Sequence, residues 1–259
     1  MAGRLLVGGE NQTLVLTISD PESRNAIGPD IYAAGVEALN AAEANRDVRA
    51  VIITGEGRQF CAGGNLNRLL NNRQHDPQVQ ADSINGFNTW IESIRHFPKP
   101  VIAAVEGAAA GAGASVALAC DVLVAAEDAF LVMAYANVGL SPDGGGAWSL
   151  ARHLPRATQM QMLMLGERMN AKRLYELGVV SHLSAPGEAL SAALKIAASL
   201  TARAPNVMAS IKDLCNEAVD VNLHQHLENE REHFVRNLHH SNGGEGIQAF
   251  LDKRQPQYR

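Results

Sequence analysis

Two glycine- and alanine-rich turns, each directly after an apolar run, constrain the fold of this chain most strongly. The first spans residues 60–66, with the sequence FCAGGNL, and the second ends the stretch 99–113, with KPVIAAVEGAAAGAG. Small residues let two backbone segments approach closely, because they carry little or no side chain. Two such turns can direct two backbone N–H groups at one carbonyl oxygen and stabilise negative charge that develops on it.

Apolar runs and helical periodicities alternate along the first two thirds of the chain. The pattern predicts strands at 13–19, 49–55, 101–105 and 121–126, and helices at 29–45, 65–70, 78–97 and 113–120. This alternation predicts an α/β fold, and a doubly wound nucleotide-binding fold is also compatible with it. Beyond residue 155 the pattern is almost entirely helical, except for a predicted strand at 178–183. We therefore predict an α/β core over residues 1–195 and a helical C-terminal region over residues 196–259.

The charge and the cysteine content of the chain limit which partners and which cellular compartment we expect for the protein. The 259 residues include 22 Lys and Arg against 27 Asp and Glu, a net charge of −5, which gives no reason to expect nucleic acid as a partner. No apolar stretch has the length of a secretory signal or a membrane span, so no membrane contact is expected. The three cysteines are widely spaced, which favours reduced thiols in the cytoplasm over disulfides or a zinc site.

Several familiar motifs are absent from the glycine-rich stretch 107–115. Its sequence GAAAGAGAS does not complete the G-x-G-x-x-G/A fingerprint of dinucleotide-binding folds, and the chain has no Gly-Lys-Ser/Thr of a phosphate-binding loop. Ser115 does not lie in the G-x-S-x-G turn of a nucleophilic serine. The nine histidines show no H-E-x-x-H spacing, so no metal is expected.

The two turns, together with residues 21–26 (PESRNA) and 138–145 (VGLSPDGG), resemble the crotonase (enoyl-CoA hydratase/isomerase) superfamily. The resemblance runs essentially from end to end and includes residues 250–254 (FLDKR). It implies a spiral of ββα units followed by a helical C-terminal region that forms a homotrimer, often a hexamer built as a dimer of trimers. It also implies an acyl-CoA substrate, in which coenzyme A is part of the thioester, and no bound cofactor.

The resemblance assigns the oxyanion hole to the backbone N–H groups of Gly64 and Ala112. Ala112 also lies at the start of a predicted helix, whose first N–H groups lack internal partners and whose dipole favours an anion. Coenzyme A is expected to run along a path near the first turn and to meet the C-terminal helix, commonly that of a neighbouring subunit. The residues implied for this path are Ser23, Arg24, Ala26, Ala62, Leu66, Phe250 and Lys253.

The catalytic positions are where the chain departs from a hydratase. The two glutamates that activate water in a hydratase would fall at Ser115 and Tyr135, and neither side chain can replace a carboxylate at neutral pH. Asp143 matches a position where some branches keep a catalytic aspartate, including phenylacetyl-CoA ring-epoxide/oxepin isomerases. Asp143 could instead cap a helix that begins near residue 144. Ser115, Tyr135 and Trp148 are expected to border the acyl group.

These assignments support the hypothesis of an acyl-CoA isomerase that acts on an unsaturated or ring-derived acyl group. Asp143 would move a proton while the oxyanion hole holds the thioester oxygen, and burial is expected to raise the pKa of Asp143. One alternative is an enoyl-CoA hydratase or a thioester or ring hydrolase, with water held by Asp143. Two others are a dehalogenase-like nucleophilic aspartate and a non-catalytic acyl-CoA-binding homologue.

Overall fold

The structure is a computed structural model, and it describes residues 3–259. A six-stranded sheet has the strand order β1-β2-β3-β4-β6-β9, and a three-stranded sheet has the order β5-β7-β8. The β1–β2 and β7–β8 pairs are antiparallel, and the other pairs are parallel. The strands are β1 (Arg4–Glu10), β2 (Thr13–Ser19), β3 (Ala50–Gly55), β4 (Val101–Val105), β5 (Ala108–Ala110), β6 (Val122–Ala126), β7 (Phe130–Val132), β8 (Arg168–Asn170) and β9 (His182–Ser184).

Eleven α-helices surround these sheets within residues 3–259, and two short 3-10 turns lie at Pro21–Ser23 and Ala136–Val138. The helices of the first part are α1 (Pro29–Ala44), α2 (Leu66–Asn72), α3 (Pro77–His96), α4 (Ala112–Ala119), α5 (Gly146–His153), α6 (Arg156–Met164) and α7 (Ala171–Glu176). Those of the C-terminal part are α8 (Ala189–Thr201), α9 (Pro205–Glu217), α10 (Leu223–Leu238) and α11 (Ser241–Leu251). The predicted α/β class is confirmed.

A repeated ββα unit explains how the two sheets are built. β4 lies in the large sheet, β5 in the small one, and α4 follows. β6 and β7 repeat the same succession before α5. The stretch after β3 repeats this succession without a full second strand. In its place Cys61 makes a single parallel bridge to Ala109, and α2 follows. Equivalent turns of successive units therefore lie side by side at one edge of the small sheet.

The core has two parts, one on each side of the large sheet. β3 and β4 are buried along almost their whole length, which explains their uninterrupted apolar sequences. On one side, α1, α3 and α4 supply the larger cluster, which includes Phe87 and Trp90. On the other side, Ala189, Ala193 and Ala197 of α8 pack against the sheet. The predicted boundary near residue 195 falls within α8, and the division into two regions stays a prediction.

The strand predicted at 178–183 is shorter and lies further along the chain. Gly178 adopts a φ of +79°, and the N–H groups of Val179 and Val180 both donate to the Leu174 carbonyl oxygen. These two apolar residues therefore complete the C-terminal end of α7 instead of pairing in a sheet. The strand β9 begins only at His182.

An ion pair connects α9 to the sheet. Lys212 is only 9% exposed, and its Nζ donates to Asp121 Oδ2 and to the Ile94 carbonyl oxygen, at 2.8 and 2.9 Å. We expect Lys212→Met to lower the free energy of unfolding by about 2 kcal/mol, because Asp121 and that carbonyl lose a donor. Urea denaturation measures this loss, with the exposed Lys195→Met as the control. Equal midpoints for the two variants would contradict a stabilising role for the pair.

Candidate functional site

The two glycine turns lie against each other, as the sequence predicts. The Cys61 N–H donates to the Ala108 carbonyl oxygen at 3.0 Å, and the Ala110 N–H donates to the Cys61 carbonyl oxygen at 2.9 Å. Gly63 has a φ of +96°, and a Cβ there would lie 2.8 Å from the Ala110 oxygen and 3.5 Å from the Ala112 nitrogen. The turn after Cys61 is thus held beside the first N–H of α4.

A second glycine allows this approach from the side of α4. A Cβ on Gly113 would lie 2.6 Å from both the Cβ and the carbonyl oxygen of Cys61, closer than side chains pack. Because Gly113 has no side chain, α4 can begin directly against the first turn.

The N–H groups of Gly64 and Ala112 are the available donors at this junction. Neither is a donor in the hydrogen bonds of the described residues 3–259. Ala112 is the first residue of α4, where an N–H has no partner within the helix and the helix dipole favours negative charge. Two such donors on adjacent turns can bind one carbonyl oxygen and stabilise it as charge develops.

Asp143 lies in the loop before α5, and two side chains fix it. Tyr135 Oη donates to Asp143 Oδ1 at 2.7 Å, and Ser115 Oγ donates to the Asp143 carbonyl oxygen at 3.0 Å. Ser115 is buried in α4, three residues after Ala112, so one helix contributes to both parts of the site. Ser115 and Tyr135 therefore hold the backbone and the carboxylate of Asp143 in place.

The ionisation of Asp143 is shifted in the expected direction. Burial raises the pKa of the Asp143 carboxyl, while the hydrogen bond from Tyr135 lowers it. The pKa of Tyr135 is itself raised, by burial first and then by the charge of Asp143, so the phenol stays protonated and remains a donor. A carboxylate of raised pKa that keeps one strong hydrogen bond is suited to accept and return a proton.

Helix capping by the Asp143 side chain is ruled out by the geometry. The cap residue of α5 is Gly145, and no side chain caps this end of the helix. It is the Asp143 carbonyl oxygen that accepts the Gly146 N–H, at 3.3 Å. The interpretation of Asp143 as a helix cap was wrong, because the turn of glycines satisfies the helix with backbone atoms.

A cluster of three aromatic residues, which no sequence motif indicates, reaches the Asp143 loop through Phe87. The rings of Tyr32 in α1 and Phe87 in α3 are 5.0 Å apart, and Trp90 lies 6.2 Å from Tyr32. Phe87 packs directly against Gly144, where a side chain would collide with its ring. These residues follow ordinary helical spacing and are typical of a packed core, so only the contact of Phe87 with Gly144 distinguishes the cluster.

Trp148 lies at the outer side of the same loop. It is 40% exposed, and the guanidinium carbons of Arg152 and Arg95 lie 3.4 and 4.9 Å from the centre of its ring. With Gly144 and Gly145 it lines a cavity of about 320 Å³. Its place in the acyl pocket stays a prediction.

The residues expected along the coenzyme A path fall into two groups. Arg24 contacts the first glycine turn, since its carbonyl oxygen accepts the Ala62 N–H at 3.0 Å, whereas Ser23 Oγ accepts the Ala26 N–H at 3.1 Å within its own loop. Leu66 follows as the exposed first residue of α2.

Phe250 and Lys253 form the second group, at the end of α11. The Phe250 ring is 83% exposed, and Lys253 adopts a φ of +55° just after the helix. Their contact with coenzyme A, which the resemblance routes through a neighbouring subunit, stays a prediction.

Other chemistries receive no support from the described residues. Burial raises the pKa of the Cys61 thiol to about 12, so it is neutral at pH 7 and a poor nucleophile. Within residues 3–259, no three His, Cys, Asp or Glu side chains are grouped to hold a metal ion. The described helices include none with the length and apolar character of a membrane span.

Comparison with known proteins agrees with this geometry. The family model described as Enoyl-CoA hydratase/isomerase matches residues 8–259. The chain is 34% identical over 254 residues to 1,2-epoxyphenylacetyl-CoA isomerase of Escherichia coli (strain K12), covering 96% of this chain and 95% of that protein. It is also 34% identical to a probable enoyl-CoA hydratase of Bacillus subtilis (strain 168), over 95% of this chain and 94% of the other.

A solved structure carries the same fold. The crystal structure of an enoyl-CoA hydratase from Polaromonas sp. JS666 superposes with a TM-score of 0.98 at 65% identity, covering 98% of this chain and 99% of that chain. The predicted crotonase-type spiral of ββα units is therefore confirmed. With a family match over nearly its whole length, the chain belongs to the enoyl-CoA hydratase/isomerase family, whose members act on coenzyme A thioesters.

Proposed function

We propose that this member of the family is an acyl-CoA isomerase that uses Asp143 as its general base and acid. The observation that carries the proposal is the hydrogen bond from Tyr135 to Asp143, with Ser115 on the Asp143 backbone. Where a hydratase would place two glutamates to activate water, this chain has two hydroxyl groups that position one carboxylate. One carboxylate can relay a proton between two carbon atoms, whereas addition of water calls for an acid and a base.

The thioester oxygen binds between the N–H groups of Gly64 and Ala112. Polarisation of the carbonyl makes the adjacent carbon, or a vinylogous one, more acidic. Asp143 removes a proton from that carbon, and the two N–H groups stabilise the enolate oxygen. Asp143 then returns the proton to a different carbon, which moves a double bond or assists a ring rearrangement.

We further propose a ring-derived acyl group. The relative at 34% identity is named as an isomerase of 1,2-epoxyphenylacetyl-CoA. The rings of Tyr32 and Phe87 lie 5.0 Å apart at an angle of 37°, and Phe87 packs against Gly144 beside Asp143. Aromatic rings interact favourably at such separations, so an aromatic cluster next to Asp143 favours an aromatic or planar acyl group.

Isotopic labelling tests the reaction class directly. The enzyme is incubated with a panel of unsaturated and ring-derived acyl-CoA thioesters, once in deuterated water and once in ¹⁸O-labelled water. The masses of the products are then measured by mass spectrometry. An isomerase incorporates deuterium and no ¹⁸O. Gain of ¹⁸O would instead support the second candidate, hydration or hydrolysis, which is favoured by the 65% identity to a Polaromonas protein named as an enoyl-CoA hydratase. Binding without turnover across the panel would contradict an enzymatic role.

Loss of the Tyr135 hydroxyl should shift the pH dependence of proton transfer. The Tyr135 hydrogen bond favours the ionised carboxylate, so its removal in Tyr135→Phe raises the pKa of Asp143 further. The base is active only when ionised, and the pH of half-maximal deuterium exchange therefore moves upward relative to wild type. A profile that moves downward or stays in place would contradict the role of Tyr135.

The C-terminal helices are the proposed subunit interface of a homotrimer, or of a hexamer built from two trimers. α10 and α11 carry a series of large exposed apolar side chains, among them Leu223, Leu227, Phe234, Ile247 and Leu251. Patches of this kind on a folded chain mark interaction sites. The cytoplasmic location expected from the three thiols, which are all free, stays a prediction.

A charge on this surface should break the assembly. Phe234 is 70% exposed in one chain, and Phe234→Glu would place a carboxylate in an apolar interface. Light scattering coupled to size-exclusion chromatography should give the mass of a trimer or hexamer for wild type and a smaller species for the variant. A monomeric wild-type protein would overturn the proposed assembly.

A further inference from the structure

Asn25 is a buried polar residue in the loop between β2 and α1. It is 1% exposed, and its Oδ1 accepts the Asp20 N–H at 3.0 Å. Its Nδ2 donates to the carbonyl oxygens of Glu56 and Gln59, at 2.9 and 2.7 Å. Asp20 follows β2, whereas Glu56 and Gln59 follow β3 and lead into the first glycine turn, residues 60–66. One amide side chain therefore joins the loops after these two strands.

The backbone at Asn25 has a conformation that residues with side chains seldom adopt. Arg24 and Asn25 have φ angles of +57° and +61°, so two consecutive residues lie in the left-handed region. Asparagine tolerates this region better than most residues, because its short side chain can hydrogen-bond to nearby backbone groups. The side-chain bonds of Asn25 therefore stabilise a sharp turn in this loop.

Two backbone hydrogen bonds connect the Asn25 loop to the first glycine turn. The Ala62 N–H donates to the Arg24 carbonyl oxygen at 3.0 Å, and the Ile27 N–H donates to the Gly63 carbonyl oxygen at 2.8 Å. Arg24 lies one residue before Asn25, and Ile27 lies two residues after it. The place of Asn25 in the loop therefore sets the position of both bonding partners.

The bond from Ile27 determines where the Gly64 N–H points. The Gly63 carbonyl and the Gly64 N–H belong to one peptide group, and the peptide bonds of the described residues are all trans. In a planar trans peptide, the C=O and the N–H point to opposite sides. Because the Gly63 oxygen faces the Ile27 nitrogen, the Gly64 N–H faces away from the Asn25 loop.

We propose that Asn25 is a positioning residue of the oxyanion hole, which acts through Ile27 and Gly63 on the direction of the Gly64 N–H. This inference rests on the oxyanion hole of the proposed function, and it adds a residue that does not touch the substrate. Rotation of the peptide between Gly63 and Gly64 would move one donor off the thioester oxygen. Misplacement of a catalytic group by about 1 Å can slow a reaction about 10²-fold.

Two substitutions separate the side-chain bonds of Asn25 from its backbone conformation. Asn25→Gly keeps access to positive φ and removes the bonds to Asp20, Glu56 and Gln59. Asn25→Asp keeps the size of the side chain and its acceptor, but it loses the amide donor. Asn11→Gly is the matched control, because Asn11 has a φ of +48° in the exposed turn between β1 and β2.

The carbonyl stretch of a bound thioester reports on the oxyanion hole, since hydrogen bonds polarise the C=O bond and lower its frequency. Each protein is saturated with phenylacetyl-CoA that carries ¹³C at the thioester carbonyl, and isotope-edited infrared spectroscopy gives the band. Deuterium exchange next to the thioester is followed on the same proteins, and circular dichroism shows whether they are folded. A purely structural role of Asn25 would leave the band of a folded variant unchanged.

Wild type and Asn11→Gly should lower the carbonyl frequency by the same amount relative to the free thioester. Asn25→Gly and Asn25→Asp should lower it less, and deuterium exchange should be about 10²-fold slower in both. The wild-type band in either folded Asn25 variant would overturn the positioning role. Loss of folding in both variants would also overturn it, because Asn25 would then serve the fold alone.

The two readouts separate failure of this inference from failure of the proposed function. An unshifted band in wild type would overturn the oxyanion hole and the positioning role with it. A wild-type shift that the Asn25 variants lose, without deuterium exchange in any protein, would support the role of Asn25 and contradict the proposed isomerase alone.

Discussion

Asp143→Asn is expected to abolish isomerisation and to slow deuterium exchange next to the thioester by about 10²–10⁴-fold, the contribution typical of a positioned general base. The asparagine amide keeps the volume of the side chain and can still accept the Tyr135 hydroxyl through its oxygen, but it cannot accept a proton from carbon. Binding of acyl-CoA should change little, because the oxyanion hole and the coenzyme A path are untouched. Mass spectrometry of the ester in deuterated water gives the exchange rate, and calorimetry gives the affinity.

The exposed Asp128→Asn is the matched control and should exchange protons as fast as wild type. Equal exchange rates for Asp143→Asn and wild type would exclude Asp143 as the base.

Asp143→Asn should also change the thermal stability of the protein in a pH-dependent way. Because burial raises the folded-state pKa of Asp143, its ionised form destabilises the native state as the pH rises above the unfolded value. The melting temperature of Asp143→Asn should therefore equal that of wild type in acid and exceed it at neutral pH.

Ala112→Pro is expected to lower kcat by about 10²–10³-fold, because it removes one of the two N–H donors of the proposed oxyanion hole. Proline is well tolerated at the first residue of a helix, where its fixed φ suits the helix and the missing N–H has no internal partner. Ala112 occupies this position in α4. The substitution therefore removes one N–H donor and puts the proline ring where the thioester oxygen is proposed to bind.

A proline at an equivalent position elsewhere separates this effect from a general change in a helix. Arg156 is the exposed first residue of α6, and the residue before it is already extended as proline requires. Arg156→Pro should keep wild-type kcat, and circular dichroism should show both variants folded. Wild-type kcat in a folded Ala112→Pro would contradict an oxyanion role for this N–H.

Long elements with continuous patterns could be predicted from the sequence, whereas short ones could not. The buried strands β3 and β4 and the helices α1 and α3 agree with prediction within a few residues, because their periodicity extends over a whole element. β5 and β7 have three residues each, too few to show a period, although they build the small sheet. β1 contains Gly8 and Gly9, which weaken any strand signal, and pairing with β2 holds it in place.

The residues of the candidate site likewise differ in whether a local sequence pattern indicates them. The glycine turns could be predicted because two backbones can approach closely only where the residues are small, and such residues are visible in the sequence. The link from Tyr135 to Asp143 connects residues that are eight apart, and its geometry depends on the 3-10 turn and glycine loop between them. Tyr32 and Phe87 come from different helices and meet only through packing, so no local pattern indicates them.

The most direct test of the proposed oxyanion hole is the position of the thioester oxygen in a crystal structure of the enzyme with a slowly reacting acyl-CoA. We predict that this oxygen lies about 2.7–3.1 Å from the backbone nitrogens of both Gly64 and Ala112. An oxygen bound elsewhere, or within reach of only one of these nitrogens, would contradict the prediction.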